Sequence, residues 1–374
     1  MIAGRRFRYF DTTIAVTSDD PALLDWLGEF LAPGFDQLAF ARAGEDLLVE
    51  VRHDPKRWGD VAASRPAGEL STVPCFARDE KVTRRPAWEW QGRTVIDEHR
   101  LGAFYVSTDA GVEVLPAPAA PRPRTAAMRV VRELAVAPAL VDRHRVLLHA
   151  SAVVRDGRGL LFAGPRTCGK STMLAFAARA GGAAILANDR VMLTAEGDEW
   201  DARGVPTIVS LRRGTLDLLP DLGRRIPAVA APVELTLAEA QAVPLASMTA
   251  LAADLRVKVS PAQLAAALET TLAACAPLAA MAFPDQRGDV DAVTVERLTP
   301  PAALERLRGA RFGVHAPIDE PIIFARASGT RPAGATDDAL ARLAASIPCF
   351  VVHVGAQKLG DAETVTRVFD AILR

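Results

Sequence analysis

Cysteine is scarce: the chain of 374 residues carries four, Cys75, Cys168, Cys275 and Cys349, scattered and without a CxxC pair. That spacing indicates neither a zinc site nor a disulfide framework. Excess charge of either sign is also missing. Lys and Arg number 44 against 45 Asp and Glu, which argues against broad electrostatic binding to nucleic acid or membrane. No apolar run reaches the 18 residues or so of a membrane span. Met1-Ile2-Ala3-Gly4-Arg5-Arg6 is not followed by the apolar segment of a secretory signal, so a cytoplasmic location is expected. Internal repeats are lacking as well. What remains is half hydrophobic and 24% charged, the composition of a well-cored globular protein long enough for two domains.

The stretch around which the rest is organised is Gly164-Pro165-Arg166-Thr167-Cys168-Gly169-Lys170-Ser171. It fits G-x-x-x-x-G-K-[ST], the phosphate-binding P-loop. In such a loop backbone N–H groups and a helix N-terminus face the phosphates. Lys170 would reach the terminal phosphates of ATP, and the Ser171 hydroxyl would ligate Mg2+. The flanks agree: Gly159–Ala163 reads as a buried strand, and Ser171–Ala180 as a helix stopped by Gly181-Gly182. Cys168 is a small residue tolerated inside the loop, although a thiol there is open to modification.

Before this core, Phe7–Val16 alternates as one strand. Asp19 and Asp20 read as a helix cap rather than catalytic carboxylates, ahead of a helix from Pro21 to about Ala32 with Leu23, Leu24, Leu27 and Leu31 on one face. Asp46–His53 reads as a strand, and a poorly patterned region follows to about Arg93. Trp88 and Trp90 alternate as strand residues do; packing is the plainer reading and a ligand platform the sharper one. Thr94–Leu115 gives two strands with a turn at Asp109-Ala110-Gly111. The Pro-rich Pro116–Pro123 is the best linker. The division expected is 1–122, a small N-terminal α/β domain with an accessory or substrate-recruiting role, and 123–374, the nucleotide-binding domain, entered through a helix from about Thr125 to Leu140.

Val146–Val154 reads as one strand and Asp156-Gly157 as a two-residue hairpin turn. That turn sets a register in which Arg155 faces Arg158, Val153 faces Leu160, and His149 faces Gly164. His149 is thereby expected beside the phosphate loop, as either a functional group or a satisfied core residue. After the loop helix, Ala183–Ala187 is a short strand ending in Asn188-Asp189-Arg190. A carboxylate at that strand end is where a Walker-B-type acid belongs, so Asp189 would bind Mg2+, directly or through water, or accept a proton from an attacking hydroxyl.

Together Leu147-Leu148-His149-Ala150-Ser151-Ala152-Val153, the Asp-Gly hairpin, the P-loop and Asn188-Asp189-Arg190-Val191 resemble the HPr kinase/phosphorylase superfamily. They are most similar to its HPr kinase-like relatives in biosynthetic clusters, including those for modified peptides. The resemblance covers residues 146–193. It implies an α/β P-loop kinase core of the HPr kinase/phosphoenolpyruvate carboxykinase type that phosphorylates a hydroxyl, often a serine. It also implies a place for His149 near the transferred phosphate. Three positions depart from the family pattern. Asn188-Asp189 stands where an Asp-Asp pair is usual, Thr172 follows the loop serine where an acid is often found, and the loop associated with phosphorylase activity is not recognisable.

Arg203 is a candidate to neutralise charge on the transferring phosphoryl group. Pro261–Cys275 reads as a helix and Leu278–Phe283 as a strand. Pro284-Asp285-Gln286-Arg287-Gly288 sits where an active-site edge could lie, with Arg287 as a further candidate. His315 and His353 have no metal-ligand spacing and read as structural. Cys349–Val354 reads as a strand and Thr364–Leu373 as a closing helix. Ile226–Leu255 has no readable pattern. The expected function is ATP-dependent transfer of the γ-phosphate to a serine-like hydroxyl of a peptide, protein or small metabolite, with Mg2+ as cofactor. A non-catalytic nucleotide-binding regulator and a P-loop ATPase acting on a partner are the alternatives. Strand addition on the N-terminal domain is a route to peptide recruitment, and the resemblance implies a homo-oligomer.

Overall fold

The computed structural model describes residues 3–40, 47–78, 81–120, 122–165, 168–230, 256–286, 293–311, 335–354 and 362–373. These are mixed α/β and fall into two units, dividing after Asp142. Among them no helix is long and apolar enough to cross a membrane.

In the first unit β1 (Ala3–Tyr9), β2 (Thr12–Ser18), α1 (Pro21–Leu31), β3 (Asp36–Leu38), β4 (Leu47–Val51) and α2 (Pro55–Ala63) are followed by β5 (Ser71–Arg78), β6 (Lys81–Trp90), β7 (Arg93–Glu98), β8 (Ala103–Ser107), β9 (Gly111–Pro116) and α3 (Pro123–Ala139). The strands form one sheet in the order β3-β1-β2-β4-β9-β8-β7-β6-β5. The single strand expected over Phe7–Val16 is a hairpin. Tyr9 pairs with Thr12 across Phe10-Asp11, and Phe10 takes a positive φ of 52°. A turn without glycine left the alternation unbroken in the sequence. Two strands expected over Thr94–Leu115 are likewise three, β7 to β9. Strand alternation then assigns the faces. The Tyr105 hydroxyl reaches the Ala126 carbonyl of α3, whereas Phe104 packs with Val61, Trp88 and Val106 beside α2.

Asp20 caps α1 by accepting from Ala22 N–H, and Asp19 instead accepts from the backbone N–H of His53. Trp88 is a packing residue: it is buried, its Nε1 donates to Ser64 Oγ, and its ring meets Phe104 edge-on. Helix α3, which the sequence groups with the nucleotide-binding segment, packs on β2, β4 and β9 in the first unit.

The second unit runs β10 (Arg145–Leu148), β11 (Ala150–Arg155), β12 (Arg158–Ala163), α4 (Lys170–Gly181), β13 (Ala184–Ala187), β14 (Val191–Glu196), β15 (Glu199–Gly204), β16 (Val209–Arg212), α5 (Arg213–Leu218) and α6 (Pro220–Ala230). It continues with β17 (Arg256–Val259), α7 (Pro261–Ala267), β18 (Cys275–Gln286), β19 (Thr294–Arg297), α8 (Pro300–Ala310), α9 (Ala335–Ser346), β20 (Cys349–Val354) and α10 (Ala362–Leu373). Its main sheet has the order β10-β14-β15-β18-β12-β11-β13, with β20 also on β18 and β19 on β20.

Both faces of this sheet are covered, which explains why its strands read as continuous apolar runs. Leu160 and Phe162 of β12 point into one core with α4, α7 and α10, while Leu161 and Ala163 point into another with α8 and α9. Burying a side chain such as Phe162, which meets Phe369 of α10 edge-on, stabilises the fold by about 2 kcal/mol.

Three expectations here need correction. Val146–Val154 is not one strand: β10 pairs with β14 and β11 with β12, and the break falls at His149, whose N–H donates to the Ala310 carbonyl at 2.7 Å. The helix expected over Pro261–Cys275 ends at Ala267, because Cys275 already opens β18. Pro284 and Asp285 belong to that strand rather than to a loop. Arg287, His315 and most of Ile226–Leu255 lie outside the described residues.

Candidate functional site

Strand direction sets the site. β11 is antiparallel to both β12 and β13, and β18 is the parallel neighbour of both β12 and β20. The carboxyl ends of β13, β12, β18 and β20 therefore share one edge of the sheet, the edge at which α/β proteins bind ligands.

The β11–β12 hairpin has the register read from its turn. Asp156 and Gly157 take φ of 52° and 75°, the signs of a type I′ turn, and Arg155 pairs with Arg158, Val153 with Leu160, and Ala150 with Ala163. The ladder ends at that pair, and the preceding residue, His149, donates its N–H to the Ala310 carbonyl. Gly164 (φ 141°) and Gly169 (φ 102°) both hold backbone conformations that side chains disfavour. A Cβ on Gly164 would also press on Cys168 Sγ at 3.0 Å. Helix α4 starts immediately after Gly169.

Lys170, 8% exposed, turns back over the loop. Its Nζ donates to the carbonyls of Gly164 (2.8 Å) and Pro165 (2.7 Å) and lies 3.9 Å from Cys168 Sγ. Burial raises the Cys168 thiol above its ordinary value, and the Lys170 charge only partly offsets this. Ser171 is half-buried in the first turn of α4. Thr172 faces inward and shares a hydrogen bond with Thr215 of α5 at 3.1 Å, an anchoring contact that nothing in the sequence signals. Arg166 and Thr167 lie outside the described residues.

His149 and Asp189 meet, with Nε2 3.3 Å from Oδ1. Arg190 Nε stands 3.9 Å from the other oxygen of that carboxylate. The turn carrying Asp189 is tied down twice: Ser151, fully buried, donates through Oγ to the Asn188 carbonyl at 2.6 Å, and Val205 N–H donates to the Arg190 carbonyl at 3.0 Å. Asn188 Oδ1 is buried without a hydrogen-bond partner among the described residues. Arg203 is placed differently. Its backbone pairs with Met192 of β14 and with Cys275 at the start of β18, the opposite end of that strand from Asp285.

The available oxygens, the Ser171 hydroxyl and the Asp189 carboxylate, are hard ligands. Among the described residues no group of three or more His, Cys, Asp or Glu could hold a metal by itself. A site of this kind fits magnesium, which keeps most of its waters and takes one or two protein oxygens together with phosphates. Comparison with models of known families and with curated proteins yields no match.

Proposed function

We propose that the chain is an ATP-dependent phosphotransferase acting on a serine-like hydroxyl of a peptide, a protein or a small metabolite. The observation that carries this reading is that the Gly164–Ser171 loop and the His149–Asp189 pair converge at one sheet edge. In this reading Lys170 exchanges the Gly164 and Pro165 carbonyls for terminal phosphate oxygens, which its long stem and three donors permit. The loop N–H groups and the first turn of α4 hold the remaining phosphate charge. Ser171 and Asp189 would hold a magnesium ion, which would supply charge neutralisation to the phosphates. His149, buried against one oxygen of Asp189, holds that carboxylate in place. The acceptor hydroxyl is thus positioned for in-line attack and loses its proton toward the His149–Asp189 pair.

A second reading, a nucleotide-binding regulator without transfer, draws on Asn188 standing where a second carboxylate would serve. Following γ-labelled ATP with Mg2+ separates the readings, using wild type, Lys170→Ala and Asp189→Asn against fractionated cell extract. The expected result is label entering a protein, peptide or metabolite fraction with wild type only. Release of inorganic phosphate alone would favour an ATPase. Tight ATP binding without label movement, indifferent to Asp189→Asn, would refute the kinase reading.

A further inference from the structure

A second acid–histidine pair lies on the other side of the loop. Strand β18 runs parallel to β12, with Leu160 opposite Ala280, Leu161 opposite Met281 and Phe162 opposite Ala282. Continued one for one past the end of β12, that register would set Gly164 level with Pro284 and Pro165 level with Asp285. Strand β20 in turn sets His353 opposite Asp285. His353 is 8% exposed, and its Nδ1 is buried with no hydrogen-bond partner among the described residues, 3.3 Å from Asp285 Oδ2. Its Nε2 stands 3.8 Å from Glu296. The Asp285 side chain itself is 32% exposed. Its charge is felt inside the loop, where it adds to burial in raising the Cys168 thiol.

We propose that Asp285 is a second carboxylate of the nucleotide site, holding the hydrated magnesium from the side of the loop opposite Asp189, with His353 as its positioning residue. This rests on the nucleotide reading above. It accounts for Asn188: the carboxylate lacking after β13 is supplied by β18, the direct parallel neighbour of the loop strand. A buried imidazole against Asp285 restricts the rotation of that carboxylate, as outer partners of metal ligands commonly do.

The test is equilibrium binding of a non-hydrolysable ATP analogue with Mg2+ and with EDTA, on full-length wild type, Asp285→Asn, Asp189→Asn and His353→Gln. Wild type is expected to bind more tightly with Mg2+. Asp285→Asn should lose roughly 10-fold of the Mg2+-bound affinity while keeping its affinity in EDTA, which also reports an intact fold. His353→Gln should lose a smaller part of the same increment. An Asp285→Asn protein that keeps the full Mg2+ increment, while Asp189→Asn loses it, would overturn the proposal and leave the nucleotide reading standing. Equal losses with and without Mg2+ would also overturn it, because the residue would then be structural. Wild type that binds no analogue under either condition would overturn both.

Discussion

A Cβ added at Gly204 would stand 2.1 Å from the Leu186 carbonyl oxygen and 3.2 Å from its carbon. Ordinary contact lies near about 3.5 Å, so β15 and β13 would have to separate by roughly an ångström at that point. Both groups are backbone, so no side-chain rotation relieves the clash. Overpacking of this kind typically costs about 1–3 kcal/mol, and Gly204→Ala is expected near the top of that range. The displacement would fall on the turn that carries Asp189, since the next residue, Val205, donates to the Arg190 carbonyl. Gly223 is the control. It lies inside α6 with nothing within 4 Å of an added Cβ, so Gly223→Ala should stabilise by about 0.5–1 kcal/mol through helix propensity alone. Urea unfolding followed by circular dichroism measures both, and hydrogen exchange should localise the Gly204→Ala loss to residues 184–205. A Gly204→Ala protein within about 0.5 kcal/mol of wild type, or a Gly223→Ala protein less stable than wild type, would refute the packing argument.

Ser151→Ala removes the donor to the Asn188 carbonyl and leaves a buried acceptor short of a partner. A loss of about 1–3 kcal/mol is expected by urea unfolding, together with weaker Mg2+-dependent nucleotide binding as the Asp189 turn loosens. In the first unit Arg57 grips Glu113 through two hydrogen bonds of 2.6 Å, and Glu113 is 2% exposed. Arg57→Ala should destabilise this unit by about 2 kcal/mol, since Arg52 stands 3.7 Å away and replaces the pair only in part; Glu113→Gln in the Arg57→Ala background should recover some of the loss. Thiol reactivity offers a pH test. Burial pushes Cys349 up to about 12 and raises Cys168 as well, and the thiolate is the reactive form. At neutral pH both should therefore be alkylated more slowly than a thiol of ordinary pKa. The Cys168 rate should climb as pH rises toward its elevated pKa, and ATP should slow it further. Mass spectrometry of iodoacetamide-treated protein at several pH values reads both effects, and a fast, pH-independent Cys168 would count against them.

Local chemistry made part of the protein legible in its sequence. The loop glycines, the Asp156-Gly157 turn and the apolar run of β12 each act within a few residues, so they fixed the hairpin register and the start of α4. The same register put His149 opposite Gly164, but the ladder ends at Ala150 and Ala163, and the His149 N–H goes to the Ala310 carbonyl instead. Asp20 could be read as a cap because capping spans a single turn. Tertiary structure decided what depends on strand exchange. The strand expected through His149 breaks because β10 and β11 join different partners, which no alternation pattern records. The Phe10-Asp11 turn was missed because neither residue is a glycine. Asp285 and His353 are far apart along the chain, and only the parallel seating of β18 between β12 and β20 makes them neighbours. A short-range sequence signal names a glycine turn and the helix after it; which distant residues become neighbours is fixed by the order in which parallel strands pack.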